Sequence, residues 1–261
     1  CPPSGVPDIT DRVYDAAIAR AGMLRVGTLQ DMLLAAETLT RFRANRSEQL
    51  AIVSNGSGAA ALAANAAVRA GVRLCSLQDS TLQALQPLLA QTAMPAAPLR
   101  LHGHATPEQV AQALQLLAAD PAEPALLLIQ APNAVVSSAQ VARALLPLAQ
   151  LTPPRLMGCW LGHAAVAEAR RVFQQAGLPA YATPEEAVGA FSMLVAYRRN
   201  QAQLIEAPPS SSGDIPADAE AARVLVQRAL GSGRTLLEGE EARALLRAYG
   251  ITVRAARAVE P

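Results

Sequence analysis

The sequence predicts an α/β protein built on a parallel β-sheet with helices on both faces. Its 261 residues allow one large domain or two small ones with a sizeable buried core. Hydrophobic residues make up 51% of the chain but aromatic residues only 3%, so the apolar bulk is Ala, Leu and Val, which favours helices packed on a sheet. Short apolar segments alternate with helical ones, as in parallel strands buried on both faces. We therefore predict a doubly wound, flavodoxin-like parallel sheet with flanking helical segments.

The first predicted element is a helical hairpin over residues 11–42. Gly22 breaks the helical pattern, and Thr28 can cap the second helix because its hydroxyl can accept a free backbone amide.

Six strand–helix units follow the hairpin. The predicted strands cover residues 50–53, 72–77, 99–101, 125–129, 155–160 and 180–182. The first of the following helices is rich in alanine and runs to Ala70, and the others begin at Asp79, Pro107, Ser138, Ala164 and Pro184.

A second, smaller part follows the last of these helices. Residues 207–216 are rich in Pro, Ser and Gly, and we predict a flexible linker and a domain boundary there. Two helices are predicted at 217–230 and 239–249, then a helix stop at Gly250 and a strand at 251–253. This C-terminal segment is short for a stable domain of its own.

The charged residues exclude several classes of function. All 22 basic residues are arginine, so Schiff-base chemistry, a phosphate-loop lysine and a lysine clamp on nucleotide phosphates are excluded. The net charge of +1 lacks the basic excess of nucleic-acid binders, so we expect no nucleic-acid partner.

Cysteine usage and hydropathy predict a cytoplasmic protein without a membrane span. The three cysteines are odd in number and widely spaced, which argues against a disulfide framework or a CxxC metal site. The longest uncharged runs, residues 80–99 and 124–142, are interrupted by Gln and Pro, and no signal peptide is found. Because the chain begins on Cys1 without a Met, we expect it to be a piece of something longer.

The main candidate site is a polar, glycine-rich turn between the first strand and its helix. Free amides and the helix dipole at such a position can hold an anion, and glycines let the backbone approach closely. The spacing matches neither GxGxxG nor a lysine-bearing phosphate loop, so an anion site and a plain tight turn both remain open. The candidate phosphate-binding residues are Ser54, Asn55, Gly56, Ser57 and Gly58.

Other chemistry-bearing residues have simpler explanations. His102 and His104 could form a metal pair, but no carboxylate or cysteine stands nearby at ligand spacing, which favours an exposed loop. His163 follows a strand end, where helix capping or exposure would suffice. We expect Cys75 and Cys159 to be buried core side chains. Glu185 and Glu186 suit the first turn of a helix, where negative charge meets the positive dipole end.

Several segments together resemble the NDP-forming (ADP-forming) acyl-CoA synthetases, relatives of succinyl-CoA synthetase. The matching segments are Val-Tyr-Asp-Ala-Ala at 13–17, Ala-Ile-Val-Ser-Asn at 51–55, Trp-Leu-Gly at 160–162, Thr-Pro-Glu-Glu-Ala-Val at 183–188 and Tyr-Arg-Arg-Asn-Gln at 197–201. Residues 236–251 are similar to the family's entry into its ATP-grasp domain. The resemblance covers nearly the whole chain.

The resemblance implies a domain organisation and a set of cofactors. Residues 1–46 would be the helical tail of a preceding ligase domain, 47–206 a flavodoxin-like ligase domain, 207–216 a linker and 217–261 the start of an ATP-grasp domain. The family uses CoA, ATP or ADP, and Mg, which implies the CoA-binding and ATP-grasp domains of the same parent protein as partners. The resemblance leaves open whether the chain forms a homo-oligomer.

Two departures from the family pattern bear on activity. Family members carry a phosphate on a histidine held between two helix N-termini, and the gapless position for that histidine is Pro3. Two acids of a family motif aligned with residues 97–104 are replaced by Arg100 and His104. The resemblance therefore implies that this chain holds no catalytic residue. It also implies that the chain is the regulatory, acyl-CoA-sensing part of a bacterial protein acetyltransferase, in which the degenerate ligase is fused to a GNAT domain. Two alternatives remain: an active ADP-forming acyl-CoA ligase whose phosphohistidine segment is altered or lies outside this chain, and an interaction module without a ligand.

Overall fold

A computed structural model describes residues 9–90, 98–205, 218–237 and 239–253, with backbone only at residues 9 and 10. The chain divides into two compact units, Cys1–Ile205 and Glu206–Pro261. Each unit is described by itself.

The first unit is built on a parallel sheet, and all six predicted strands are present. The strands are β1 (Gln49–Ser54), β2 (Arg73–Leu74), β3 (Leu99–Arg100), β4 (Ala125–Gln130), β5 (Leu156–Trp160) and β6 (Ala180–Tyr181). The order is β2-β1-β4-β5-β6, and β3 pairs with the carboxyl end of β1 on the edge where β2 pairs with its amino end. This is the flavodoxin-like order with one short strand added, so the predicted fold class is confirmed.

Helices cover both faces of this sheet. They are α1 (Ile9–Arg20), α2 (Leu29–Phe42), α3 (Ser57–Arg69), α4 (Asp79–Leu85), α5 (Pro107–Ala118), α6 (Ser138–Ala144), α7 (Ala167–Gln175) and α8 (Pro184–Ile205). The helix predicted from Ala164 starts as a 3-10 turn, Ala164–Val166, before it becomes α7.

Two hydrophobic cores lie on opposite faces of the sheet. Because side chains alternate along a strand, Val53 of β1 packs under α4 to α7, while its neighbour Ile52 packs under α2, α3 and α8. The first core holds Trp160 and Phe173, whose rings meet edge to face with centroids 4.9 Å apart. The second core holds Phe42, Tyr181 and Phe191, and small and aliphatic side chains fill the rest of both cores, in line with the composition.

The predicted helical hairpin is confirmed and belongs to the same compact unit as the sheet. Thr28 caps α2 through a reciprocal capping box with Asp31. Gly22 closes α1 in the left-handed region, with φ of +69°. The side-chain amides of Asn200 and Gln201 on α8 donate to the backbone carbonyls of Met23 and Gly22, respectively. These bonds hold the hairpin turn against α8.

The second unit consists of α9 (Ala219–Gly231) and α10 (Gly239–Ala248). The strand predicted at 251–253 is wrong. Gly250 does stop α10, with φ of +71°, but the Ile251 amide donates to Leu246 O at 3.0 Å in the helix cap. Because the Ile251 amide is used in this bond, it cannot donate to a neighbouring β-strand. No described strand pairs with residues 251–253. The predicted linker at 207–216 lies outside the described residues.

Candidate functional site

The candidate site lies at the carboxyl edge of the sheet, between the loops that follow β1 and β4. The β1 loop leads to α3 on one face, whereas the β4 loop leads to α6 on the other. Such a switch point is where open α/β sheets bind their ligands. The loop after β3 also reaches this edge, because β3 pairs with the carboxyl end of β1.

Two asparagines hold these three loops together. The Asn55 side chain donates to Ala131 O at 2.9 Å and accepts from the Ala131 amide at 2.8 Å. It also donates to Gly103 O at 3.4 Å, and Asn133 donates to the same carbonyl at 2.9 Å. Asn55 therefore positions the turn before α3 through its side chain, and that side chain is occupied by backbone groups rather than offered to a ligand.

Ser54 has a similar internal role. Its buried hydroxyl donates to Gly56 O at 3.0 Å and accepts from the Gly56 amide at 3.1 Å. The side chains of Ser54 and Asn55 thus shape the turn. The groups left for an anion are the Ser57 hydroxyl and the first backbone amides of α3.

The start of α3 is open and electropositive. Gly56 is its N-cap, in extended conformation with φ of −126°, and no side chain among the described residues caps it. Ser57 and Gly58 are exposed. The first amides of a helix have no intrahelical acceptor, and the dipole adds partial positive charge, so this end of α3 can accept an anion.

Gly58 leaves space at this helix start. It lies inside α3 without a positive φ, and a Cβ placed on it would meet no atom within 4 Å. The glycine is therefore not required by backbone strain. A side chain at Gly58 would project towards the helix N-terminus, where an anion would approach.

The structure places two histidines beside this site. His102 is half-buried, His104 is exposed, and their ring centroids lie 6.1 Å apart. The intervening Gly103 carbonyl accepts the bonds from Asn55 and Asn133, so the exposed loop borders the β1 turn. In the part of the chain that the structure describes, no three metal-ligating side chains cluster.

The remaining candidates have the structural roles expected from the sequence. His163 is exposed, at the start of the turn before α7. Cys75 and Cys159 are buried; burial raises the pKa of both thiols, that of Cys159 to about 12, so neither is a ready nucleophile. Glu186 accepts from the Ala182 amide at 3.0 Å at the start of α8.

Sequence reasoning missed two residues at the carboxyl edge. Asn133 lies three residues after the end of β4, and a polar residue shortly past a buried strand could have signalled it. Arg170 lies on α7, ten positions after the strand end that it caps, and its guanidinium donates to Trp160 O at 2.7 Å and Gly162 O at 3.0 Å. Nothing local in the sequence marks that contact.

Comparison with known proteins agrees with the resemblance. No family model matches the chain. It is 26% identical over 240 residues to acetate–CoA ligase [ADP-forming] I of Archaeoglobus fulgidus, a match that covers 92% of this chain and 33% of that protein. It is 29% identical over 191 residues to acetate–CoA ligase [ADP-forming] of Methanocaldococcus jannaschii, covering 72% of this chain and 27% of the relative. The chain thus spans about a third of the length of these relatives.

Solved structures show the same fold. The apo form of the dinucleotide forming acetyl-coenzyme A synthetase 1 of Ca. Korarchaeum cryptofilum superposes with a TM-score of 0.69 at 22% identity, over 78% of this chain and 45% of that one. Its complex with phosphate and ADP superposes with a TM-score of 0.68 at 23% identity, over 75% and 42%. The fold and site define a flavodoxin-like α/β protein. Its homologues are ADP-forming acetyl-CoA synthetases of the NDP-forming acyl-CoA synthetase family.

Proposed function

We propose that this chain is a ligase part of an acyl-CoA synthetase-like protein that holds a phosphate group at the start of α3 but carries no phosphohistidine of its own. The observation that carries the proposal is the exposed, uncapped N-terminus of α3 at the switch point of the sheet. The bonds of Asn55 to Ala131 and Gly103 support it, because they fix that helix start in place.

The parent protein, on this proposal, is a protein acetyltransferase in which the ligase part senses acyl-CoA. The supporting observation is in the sequence: the family's histidine position falls on Pro3, outside the described residues, and Arg100 and His104 replace family acids. The domain limits at 46, 206 and 216 belong to the same proposal. An active ADP-forming ligase is the second candidate, favoured by the names of the relatives.

Of the family's cofactors, we expect this chain to bind only a phosphate group, at the start of α3. The amides at the start of α3 fit a single phosphate group of CoA or of a phosphorylated partner segment. No three side chains of His, Cys, Asp or Glu cluster among the described residues, so these residues form no preformed metal cage. The proposal places nucleotide and Mg in the ATP-grasp part of the parent, and CoA chemistry in its CoA-binding domain, as the family resemblance implies.

A phosphate titration tests the site. We expect inorganic phosphate to bind the chain with a Kd no tighter than about millimolar, because only amides, one hydroxyl and a dipole supply the attraction. Backbone amide shifts in an NMR titration should centre on Ser57 and Gly58. The Gly58→Val variant should lose this binding while it keeps its fold, because its side chain crowds the helix start and its Cβ lies in open space.

A matched control is Gly231→Val at the end of α9. That glycine is also helical with open space around it, but it lies in the other compact unit. We expect Gly231→Val to bind phosphate like the unmodified chain. Identical titrations for the unmodified chain and Gly58→Val would show that the turn is only structural.

A second test addresses the proposal that this chain carries no phosphohistidine of its own. The chain should take up no acid-labile phosphate from a phosphorylated donor, because proline at position 3 has no side-chain nitrogen that could be phosphorylated. Incubation with radiolabelled acetyl phosphate, with and without acid treatment, measures this. Acid-labile label on any histidine would favour the active ligase instead.

A further inference from the structure

The loop between β3 and α5 carries two of the chain's three histidines, and the proposed function uses neither of them. His102 is half-buried and His104 is exposed, with Gly103 between them. Neither imidazole makes a hydrogen bond to another of the described residues. The ring nitrogens of both histidines can therefore bind a ligand.

The backbone of this loop is held at three points. The Ala105 amide donates to His102 O at 3.0 Å, which closes a turn around the pair. Asn133 donates to Gly103 O at 2.9 Å, and Thr106 caps α5 directly after the turn. The backbone is thus already ordered, and a ligand that bridges the two histidines has only their side chains left to immobilise.

The spacing of the two rings fits a single metal ion. Their centroids lie 6.1 Å apart. A zinc ion binds an imidazole nitrogen at about 2.0 to 2.1 Å, so two imidazoles on one ion have centroids roughly 5 to 6.5 Å apart, depending on the angle at the metal. Because the observed separation lies inside this range, side-chain rotations alone can bring one nitrogen of each ring onto a shared ion.

The two donors select the class of metal. Imidazole nitrogen suits Zn²⁺, Cu²⁺ and Ni²⁺, whereas Mg²⁺ prefers oxygen ligands. Within the described ranges, no third side chain of His, Cys, Asp or Glu joins the pair. Water or an anion would therefore fill the other coordination positions, which makes the site open rather than closed.

We propose that His102 and His104 together bind one divalent transition-metal ion, such as Zn²⁺, at the carboxyl edge of the sheet. The loop packs directly on the turn before α3, because a Cβ placed on Gly103 would lie 3.8 Å from Asn55 O. The ion nevertheless uses imidazole nitrogens and no amide of α3. The proposal therefore does not depend on phosphate binding at that helix.

Zinc binding by the untagged full chain tests the proposal. Cys1 is replaced by serine in every protein used, because its thiol is itself a zinc ligand. Competition with a chromogenic chelator should give one Zn²⁺ per chain, with a Kd on the order of 10 micromolar because the protein supplies only two ligands. Displacement of this Zn²⁺ by millimolar Mg²⁺ would contradict the imidazole ligands.

Single-residue variants identify the ligands. His102→Gln and His104→Gln should each weaken zinc binding at least about tenfold, because each leaves one protein ligand. The double variant should bind no more weakly than either single one, since both histidines bind the same ion. His163→Gln is the matched control: the third histidine is also exposed, and its loss should leave the Kd unchanged. Equal effects of all three single variants would overturn the proposal.

Histidine NMR signals locate the ion. Paramagnetic Cu²⁺, added well below one equivalent, should broaden the side-chain signals of His102 and His104 before those of His163. Equal broadening of all three would mean unspecific surface binding, and the proposal would then fail. The phosphate titration at Ser57 and Gly58, run without metal, should be the same in His104→Gln as in the parent, so the failure of one site is distinguishable from the failure of the other.

Discussion

At the scale of single residues, a glycine inside β5 shows how tightly one core is packed. A Cβ on Gly158 would lie 2.7 Å from Trp160 Nε1 and 2.7 Å from Phe173 Cε1. Both aromatic side chains are fully buried, so neither can move aside without disturbing its neighbours. The absence of a side chain at this position allows the indole to fold back over its own strand.

We predict that Gly158→Ala destabilises the first unit by about 1 to 3 kcal/mol, because the added methyl group overpacks the core. The matched control is Gly189→Ala on α8, where a Cβ meets nothing within 4 Å. That change should stabilise by about 0.5 to 1 kcal/mol, since alanine favours a helix. Urea unfolding measures both, and a Gly158→Ala variant as stable as the unmodified chain would contradict the packing.

At the scale of elements, local signals explain where most helices begin and end. Thr28 and Thr106 each form a capping box with the side chain three residues later. At the other ends, glycines with positive φ close several helices, where the following amide returns to a carbonyl of the last turn. These glycines are Gly22, Gly71, Gly177, Gly233 and Gly250. Such signals depend on neighbours in sequence alone, so they are visible before the fold is known.

The cap of α2 gives the prediction at this scale. Thr28→Ala should destabilise the first unit by about 1 kcal/mol, because the Asp31 amide loses its acceptor and the Asp31 carboxylate loses the hydroxyl donor, keeping only the backbone amide of residue 28. Thr40→Ala is the matched control: Thr40 lies inside the same helix, and its hydroxyl donates only to Ala36 O. We expect that change to be neutral or slightly stabilising. Thermal unfolding that ranks the two variants in reverse would contradict the capping role.

At the scale of the whole sheet unit, one ion cluster joins distant parts of the chain. Glu48 precedes β1, Arg73 starts β2, and Arg199 lies near the end of α8, 151 positions away from Glu48. The hydrogen bond from Arg199, together with the bond from Arg73, holds the pKa of Glu48 below its ordinary value against an opposing effect of burial.

The lowered pKa predicts how stability responds to acid. A carboxylate with a depressed folded pKa stabilises the protein fully above its unfolded pKa, about 4.3, and loses that contribution as the pH falls through the folded pKa. Glu48→Gln should therefore cost about 1 kcal/mol at pH 7, a modest figure because the cluster is partly exposed, and progressively less below about pH 4. Urea unfolding across pH 3 to 7 measures this, with Glu220→Gln as a surface control expected to change little. A difference that does not depend on pH would contradict the ion-pair origin.

The sequence by itself determined the class of fold, the six strands and the starts of most helices. The short apolar run of β4, between Pro124 and the polar turn after Gln130, is typical of a strand covered on both faces, and in the structure all six of its residues are buried. The turn at residues 54–58 was also visible, because a polar, glycine-rich segment directly after a buried strand is a local pattern. The strand predicted at 251–253 failed because strand formation needs a partner, and its first amide bonds within the helix cap instead.

Only the tertiary structure decided how the candidate site is built. Asn55 in the loop after β1 binds Gly103, 48 positions away in the loop after β3, and Ala131, 76 positions away in the loop after β4. No local sequence pattern encodes these long-range contacts. For the same reason the sequence could list Ser54 and Asn55 as ligands but could not show that backbone groups occupy their side chains. The ion cluster at the amino edge is likewise a product of folding, since Glu48, Arg73 and Arg199 become neighbours only when β1, β2 and α8 are packed together.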